Sequence, residues 1–126
     1  MPLMMPRQRF PSEKFLEGLA SQVPSDFQFG FKATDEIIVR KFPNLPRVPR
    51  SAGKPNENFL NADLFVRVFI NPCETIRSNI GIIIFEFSRF YPSDYEKGTD
   101  FVAELDKFFG NLPAGWPYGI EIRNKH

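Results

Sequence analysis

Ile80-Gly81-Ile82-Ile83-Ile84-Phe85-Glu86-Phe87 is the stretch on which the fold turns. It is too short for a typical helix and rich in β-branched residues, so it predicts a strand. Its near-continuous apolar character predicts burial on both faces, as in a parallel sheet. The exception is Glu86, one residue before the end of the run. A charged side chain is almost never fully buried unless it is paired.

The same pattern recurs on either side. Phe27-Gln28-Phe29-Gly30-Phe31 runs into Lys32, and Tyr118-Gly119-Ile120 runs into Glu121-Ile122-Arg123. Strands are predicted near 27–33, 80–87 and 118–123. In α/β proteins, strand C-termini are where ligands bind. Lys32, Glu86, Glu121, Arg123 and the nearby His126 are therefore the candidate ligand-binding residues.

Helical patterns lie between these strands. Ser12 is placed to cap a helix over 12–23, in which Phe15, Leu16, Leu19 and Val23 recur at helical spacing. Asn61 is placed to cap a second helix over 61–71, with Phe65 and Phe69 one turn apart and Pro72 ending or kinking it. Thr99 is placed to cap a third over 99–110. Its apolar stripe is Phe101, Val102, Leu105, Phe108, Phe109 and Leu112, and Gly110 suits a left-handed C-terminal position. Residues 1–11 read as irregular, and Thr34 to Val39 as a short irregular element. Alternation of helix and strand predicts right-handed crossovers, a parallel sheet and helices on one face.

The chain has 126 residues, enough for one domain with a core over 1–126. A net charge of +1 gives no general electrostatic case for nucleic acid or an anionic membrane. Fifteen phenylalanines point mainly to core packing. Cys73 is the only cysteine, which excludes an internal disulfide and a zinc site with paired thiolates. It reads as a small buried hydrophobe rather than a nucleophile. No apolar run is long enough to span a membrane, and a cytoplasmic location follows by default.

The least regular segment is the loop 40–58. Its first part, Arg40 to Arg50, holds three prolines and four basic residues. It reads mainly as a solvated connector; four basic residues around Phe42 are a weak nucleic-acid signal. Glu86, Glu121 and His126 match no metal-ligand spacing, so no metal is assigned and no cofactor is identified. No phosphate-binding glycine loop or nucleophile elbow is present.

Three segments together resemble successive strand motifs of the YecE-like family, the domain of unknown function 72. They are Phe27 to Ala33, Gly81 to Phe87, and Gly119 to His126. The resemblance spans roughly residues 7–126 and implies a TIM-barrel-like protein of unestablished activity. A family member would carry two more strands before Phe10 and would continue past His126. The Phe85-Glu86-Phe87 motif stands where many members have Gln-Leu-Pro. A complete (β/α)8 barrel needs about 250 residues. The implied fold is thus α/β, a partial (half) TIM-barrel-like unit with three mainly parallel strands.

The leading functional reading is a polar pocket for an anionic or polyhydroxy small molecule. Beside it stand a non-catalytic nucleic-acid or protein interaction module, and a truncated product without independent function. Salt dependence separates small-molecule binding from phosphate-dominated binding. A half-barrel also leaves its sheet edges unpaired, which predicts self-association.

Overall fold

The structure, a computed structural model, describes residues 2–6, 11–38, 57–87 and 98–122. These form an α/β unit with four parallel strands in the order β1-β2-β3-β4. The strands are β1 (Leu3–Met4), β2 (Phe29–Lys32), β3 (Ile80–Phe87) and β4 (Tyr118–Ile122). Helices α1 (Glu13–Ala20), α2 (Asp35–Ile38), α3 (Ala62–Phe65), α4 (Asn71–Cys73) and α5 (Gly98–Gly110) lie between them in sequence. Parallel strands in sequential order, with helices against one face, are consistent with a partial TIM-barrel-like unit.

The expected three strands become four. Leu3 and Met4 pair with Phe29 and Gly30, where the sequence reads as irregular. Leu3 N–H donates to Gln28 O at 2.9 Å, and Met5 N–H to Gly30 O at 2.8 Å. The segment that reads as irregular after Thr34 contains the helical turn α2.

Partners in register share a face of the sheet. Phe29, Phe31, Ile83, Phe85 and Phe87 face the helices and are buried. Phe65 of α3 lies 5.0 Å from both Phe69 and Phe85, ring centre to ring centre. Phe85 also meets Phe108 and Phe109 of α5, and Phe87 meets Phe101. Most of the described phenylalanines thus fill one core, as large rings do when they bury 150–250 Å² each, roughly. Phe15 and Val102 belong to the predicted apolar stripes, yet both are exposed.

The helix ends follow their chemistry. Ser12 Oγ accepts from Phe15 N–H, and Asn61 Oδ1 accepts from Leu64 N–H. Leu60, just before that cap, has φ of 54°, a costly conformation for a branched side chain. Its N–H donates to Ile37 O at 2.8 Å, which ties the turn to α2. Pro72 cannot donate a backbone N–H, and the helix before it widens into a π segment, Val66–Ile70. Asn71 N–H there reaches back to Val66 O. A 3-10 segment, Glu74–Asn79, then leads into β3.

Helix α5 starts at Gly98, so Thr99 sits inside its first turn rather than at its cap. Gly110 ends the helix without a positive φ; among the described residues the left-handed glycine is Gly115, at φ 87°, in the turn before β4. Among the described residues no helix is long and apolar enough to cross a membrane.

Candidate functional site

Register decides where the ionisable strand ends go. In β2 and β3, Phe29 pairs with Ile80 but Gly30 pairs with Ile82, so Gly81 is an extra residue in β3. Beyond this bulge Lys32 is in register with Ile84. On the other side Ile84 is in register with Gly119, and Glu86 with Glu121. Alternation then puts Gly30, Lys32, Ile82, Ile84, Glu86, Gly119 and Glu121 on the face away from the helices.

Lys32, Glu86 and Glu121 come together at the C-terminal end of that face. Lys32 Nζ lies 3.1 Å from Glu86 Oε2, and the side chain of Glu86 is only 14% exposed. Its Oε2 is shielded from solvent. Glu121 is exposed, one strand over from Glu86, where backbones run about 4.8 Å apart. A partly buried carboxylate needs a cation beside it, and Lys32 fills that role. Ile82 and Ile84 point away from the helices, whereas Phe29 and Ile83 point into the helix layer.

Arg123 and His126 lie outside the described residues, as does the basic stretch 40–56. Among the described residues there is no group of three or more metal-capable side chains. Clefts lie elsewhere, one of about 340 Å³ beside Pro2, Asp26, Phe27 and Gln28. One of about 320 Å³ lies between Asn61–Asp63 and Glu104–Asn111, and one of about 530 Å³ between Arg67 and Leu112. Both belong to the helix layer.

Cys73 is fully buried, and burial, with Glu74 nearby, pushes its thiol up to about 12. A thiol held neutral in this way is a packing group rather than a nucleophile. Sequence reasoning gave no sign of a second polar arrangement, at the N-terminal end of β4. The guanidinium of Arg77 lies 4.5 Å over the ring of Trp116. Tyr118 Oη donates to Pro113 O at 2.9 Å, and burial raises its pKa to about 12 against a smaller opposing effect of Arg77. In barrels this end of the sheet serves stability rather than catalysis.

A family described as "Protein of unknown function DUF72" matches residues 8–126. Neither the curated proteins nor the solved structures contain a match.

Proposed function

The chain belongs to the DUF72 family, and on that premise we propose that it is a single partial TIM-barrel-like domain with a polar small-molecule site at its strand C-termini. The observation that carries this reading is the convergence of Lys32, Glu86 and Glu121 on one end of one face. The ligand is an anionic or polyhydroxy compound. Lys32 supplies a cationic donor, while Glu86 and Glu121 accept hydrogen bonds from hydroxyl groups. Two carboxylates against one ammonium, with Lys32 already facing Glu86, favour the polyhydroxy class. A cytoplasmic location fits a chain whose one cysteine is buried as a neutral thiol.

Thermal melting with a free hexose and with inorganic phosphate as probes tests the reading. A ligand that binds only the folded state raises the midpoint, and the rise grows with the logarithm of its concentration above Kd. The hexose should raise it more than phosphate, and Glu121→Gln should reduce the rise. Because Glu121 is exposed, that variant should fold like the parent. No shift with either probe would overturn the reading.

A further inference from the structure

We propose that Glu86 and Glu121 are a glycosidase pair, and that the site hydrolyses glycosides with retention of configuration at the anomeric carbon. The proposal rests on the polyhydroxy reading of this site and adds a reaction to it. Glu86 and Glu121 are in register on neighbouring parallel strands, on the face away from the helices. Residues so placed hold their side chains side by side, one strand spacing of about 4.8 Å apart. Retaining glycosidases keep their two carboxyl groups about 5–5.5 Å apart, whereas inverting ones need about 6.5–9.5 Å to admit a water. The register therefore matches the retaining distance and leaves no room for the inverting water.

The surroundings divide the roles. A nucleophile must be a carboxylate, and an ammonium beside it favours that form. Lys32 Nζ, 3.1 Å from Glu86 Oε2, makes Glu86 the nucleophile and Lys32 its positioning residue. Oε2 faces Lys32, so Oε1 is the attacking oxygen. The acid–base residue must exchange protons with water between the two steps. Glu121, exposed near the end of β4, is placed for that. Ile84 is half-buried in the layer beneath, in register with Lys32 and Gly119. It offers an apolar floor to the C–H face of a sugar ring, and Gly119 adds no side chain beside it.

Atoms balance over two steps. Glu86 Oε1 bonds to the anomeric carbon as the bond from that carbon to the aglycone oxygen breaks. The bonding pair leaves on that oxygen, which takes the proton of the Glu121 carboxyl. Water then bonds to the same carbon and gives a proton to Glu121, and the ester pair returns to Glu86. One glycoside and one water become one free sugar and one alcohol, and two inversions amount to retention.

The test uses the purified 126-residue chain with nitrophenyl α- and β-glycosides of glucose, galactose and mannose. Nitrophenol should be released from at least one of them. Proton NMR should show the first-formed sugar with the anomeric configuration of that substrate. The matching fluorosugar, with fluorine in place of the hydroxyl next to the anomeric carbon and a dinitrophenyl leaving group, should label Glu86, as read by peptide mass spectrometry. Glu121→Gln should slow turnover about 100-fold or more, and azide, a nucleophile that needs no base, should restore it. Lys32→Met should lower kcat, and Lys32→Arg should recover most of it. No hydrolysis of any probe, an inverted product, a label on another residue, a Glu121→Gln chain as fast as the parent, or an unchanged kcat in Lys32→Met would each overturn the proposal. The label is read on the parent chain, so it decides even where a variant fails to fold. A chain whose melting midpoint rises with hexose but which cleaves no probe would reject hydrolysis and leave the binding reading standing. Neither a rise nor cleavage would reject both.

Discussion

Lys32 Nζ and Glu86 Oε2 stand 3.1 Å apart across two neighbouring strands, although Lys32 is in register with Ile84 rather than with Glu86. The long lysine side chain reaches forward along the strand to the next residue on the same face. The Lys32 side chain remains about one-third exposed while that of Glu86 is mostly shielded. The pair therefore belongs between a solvated surface bridge and a buried one.

A double-mutant cycle measures that pair. Lys32→Met leaves a shielded carboxylate without its cation and should cost about 1–2 kcal/mol of stability. Glu86→Gln keeps the shape and should cost about 1 kcal/mol or less. Their coupling should be about 0.5–1 kcal/mol, read from urea midpoints at constant m-value. Additive costs would show that the two groups do not interact in solution.

What the sequence revealed of this arrangement, and what it did not, depends on the physical signal at each residue. The run Ile80 to Phe87 is long, β-branched and bounded, so both ends of β3 are legible. Ser12 and Asn61 are legible because each short polar side chain precedes an apolar periodic stretch. Leu3-Met4 is hidden because two residues between Pro2 and Pro6 show no alternation at all. Phe15 and Val102 mislead because helical spacing shows where an apolar stripe runs but not how wide the buried face is, and both residues are exposed. Alternation alone places Glu86 on one face of β3. The contact with Lys32 depends on the Gly81 bulge, which shifts register without any signature in the hydrophobic pattern.

Alkaline pH should destabilise the fold through Cys73 and Tyr118. Their ordinary values are 9.0 and 10.0, and burial raises both to about 12 in the folded chain. Between about pH 9 and 12 the unfolded chain releases protons that the folded chain retains. This contribution is complete below about pH 9 and is lost as pH rises through the folded values. Urea midpoints should fall over that interval, and the fall should be shallower in a Cys73→Ala variant. In the native state Cys73 should resist alkylation, because it is both buried and protonated. Rapid native-state alkylation would contradict the burial.

Arg77 should hold the turn before β4. It stacks on Trp116, its Nη2 donates to Ala114 O at 3.4 Å, and Glu74 lies 3.6 Å from its Nη1. Arg77→Ala should cost about 1 kcal/mol, and Arg77→Lys should recover only part of it, because the planar guanidinium makes the stack. Trp116 is the sole tryptophan, so its fluorescence reports the loss directly. Gly115→Ala should act on the same contact. Gly115 has φ of 87°, and an added Cβ would sit 2.9 Å from Arg77 Nη2. An emission spectrum unchanged in all three variants would mean that Arg77 does not sit on the ring.

Two glycines should respond to alanine with opposite signs. Gly18 lies inside α1 with nothing within 4 Å of an added Cβ. Gly18→Ala should therefore stabilise by about 0.5–1 kcal/mol, from helix propensity and a less flexible unfolded chain. Gly81 is the bulged residue of β3, where an added Cβ would lie 2.8 Å from Pro2 Cγ and 3.1 Å from Gln28 Cβ. Pro2 leads directly into β1, and Gln28 is held by its Nε2 donating to Ser78 O at 2.9 Å. Neither neighbour can retreat without disturbing a strand, so Gly81→Ala should cost about 1–3 kcal/mol. Hydrogen exchange should locate that cost: protection of Met5 N–H, which donates to Gly30 O, should fall before protection within β3. Equal loss across β2 and β3, with Met5 unaffected, would show that the glycine serves the bulge itself rather than the docking of β1.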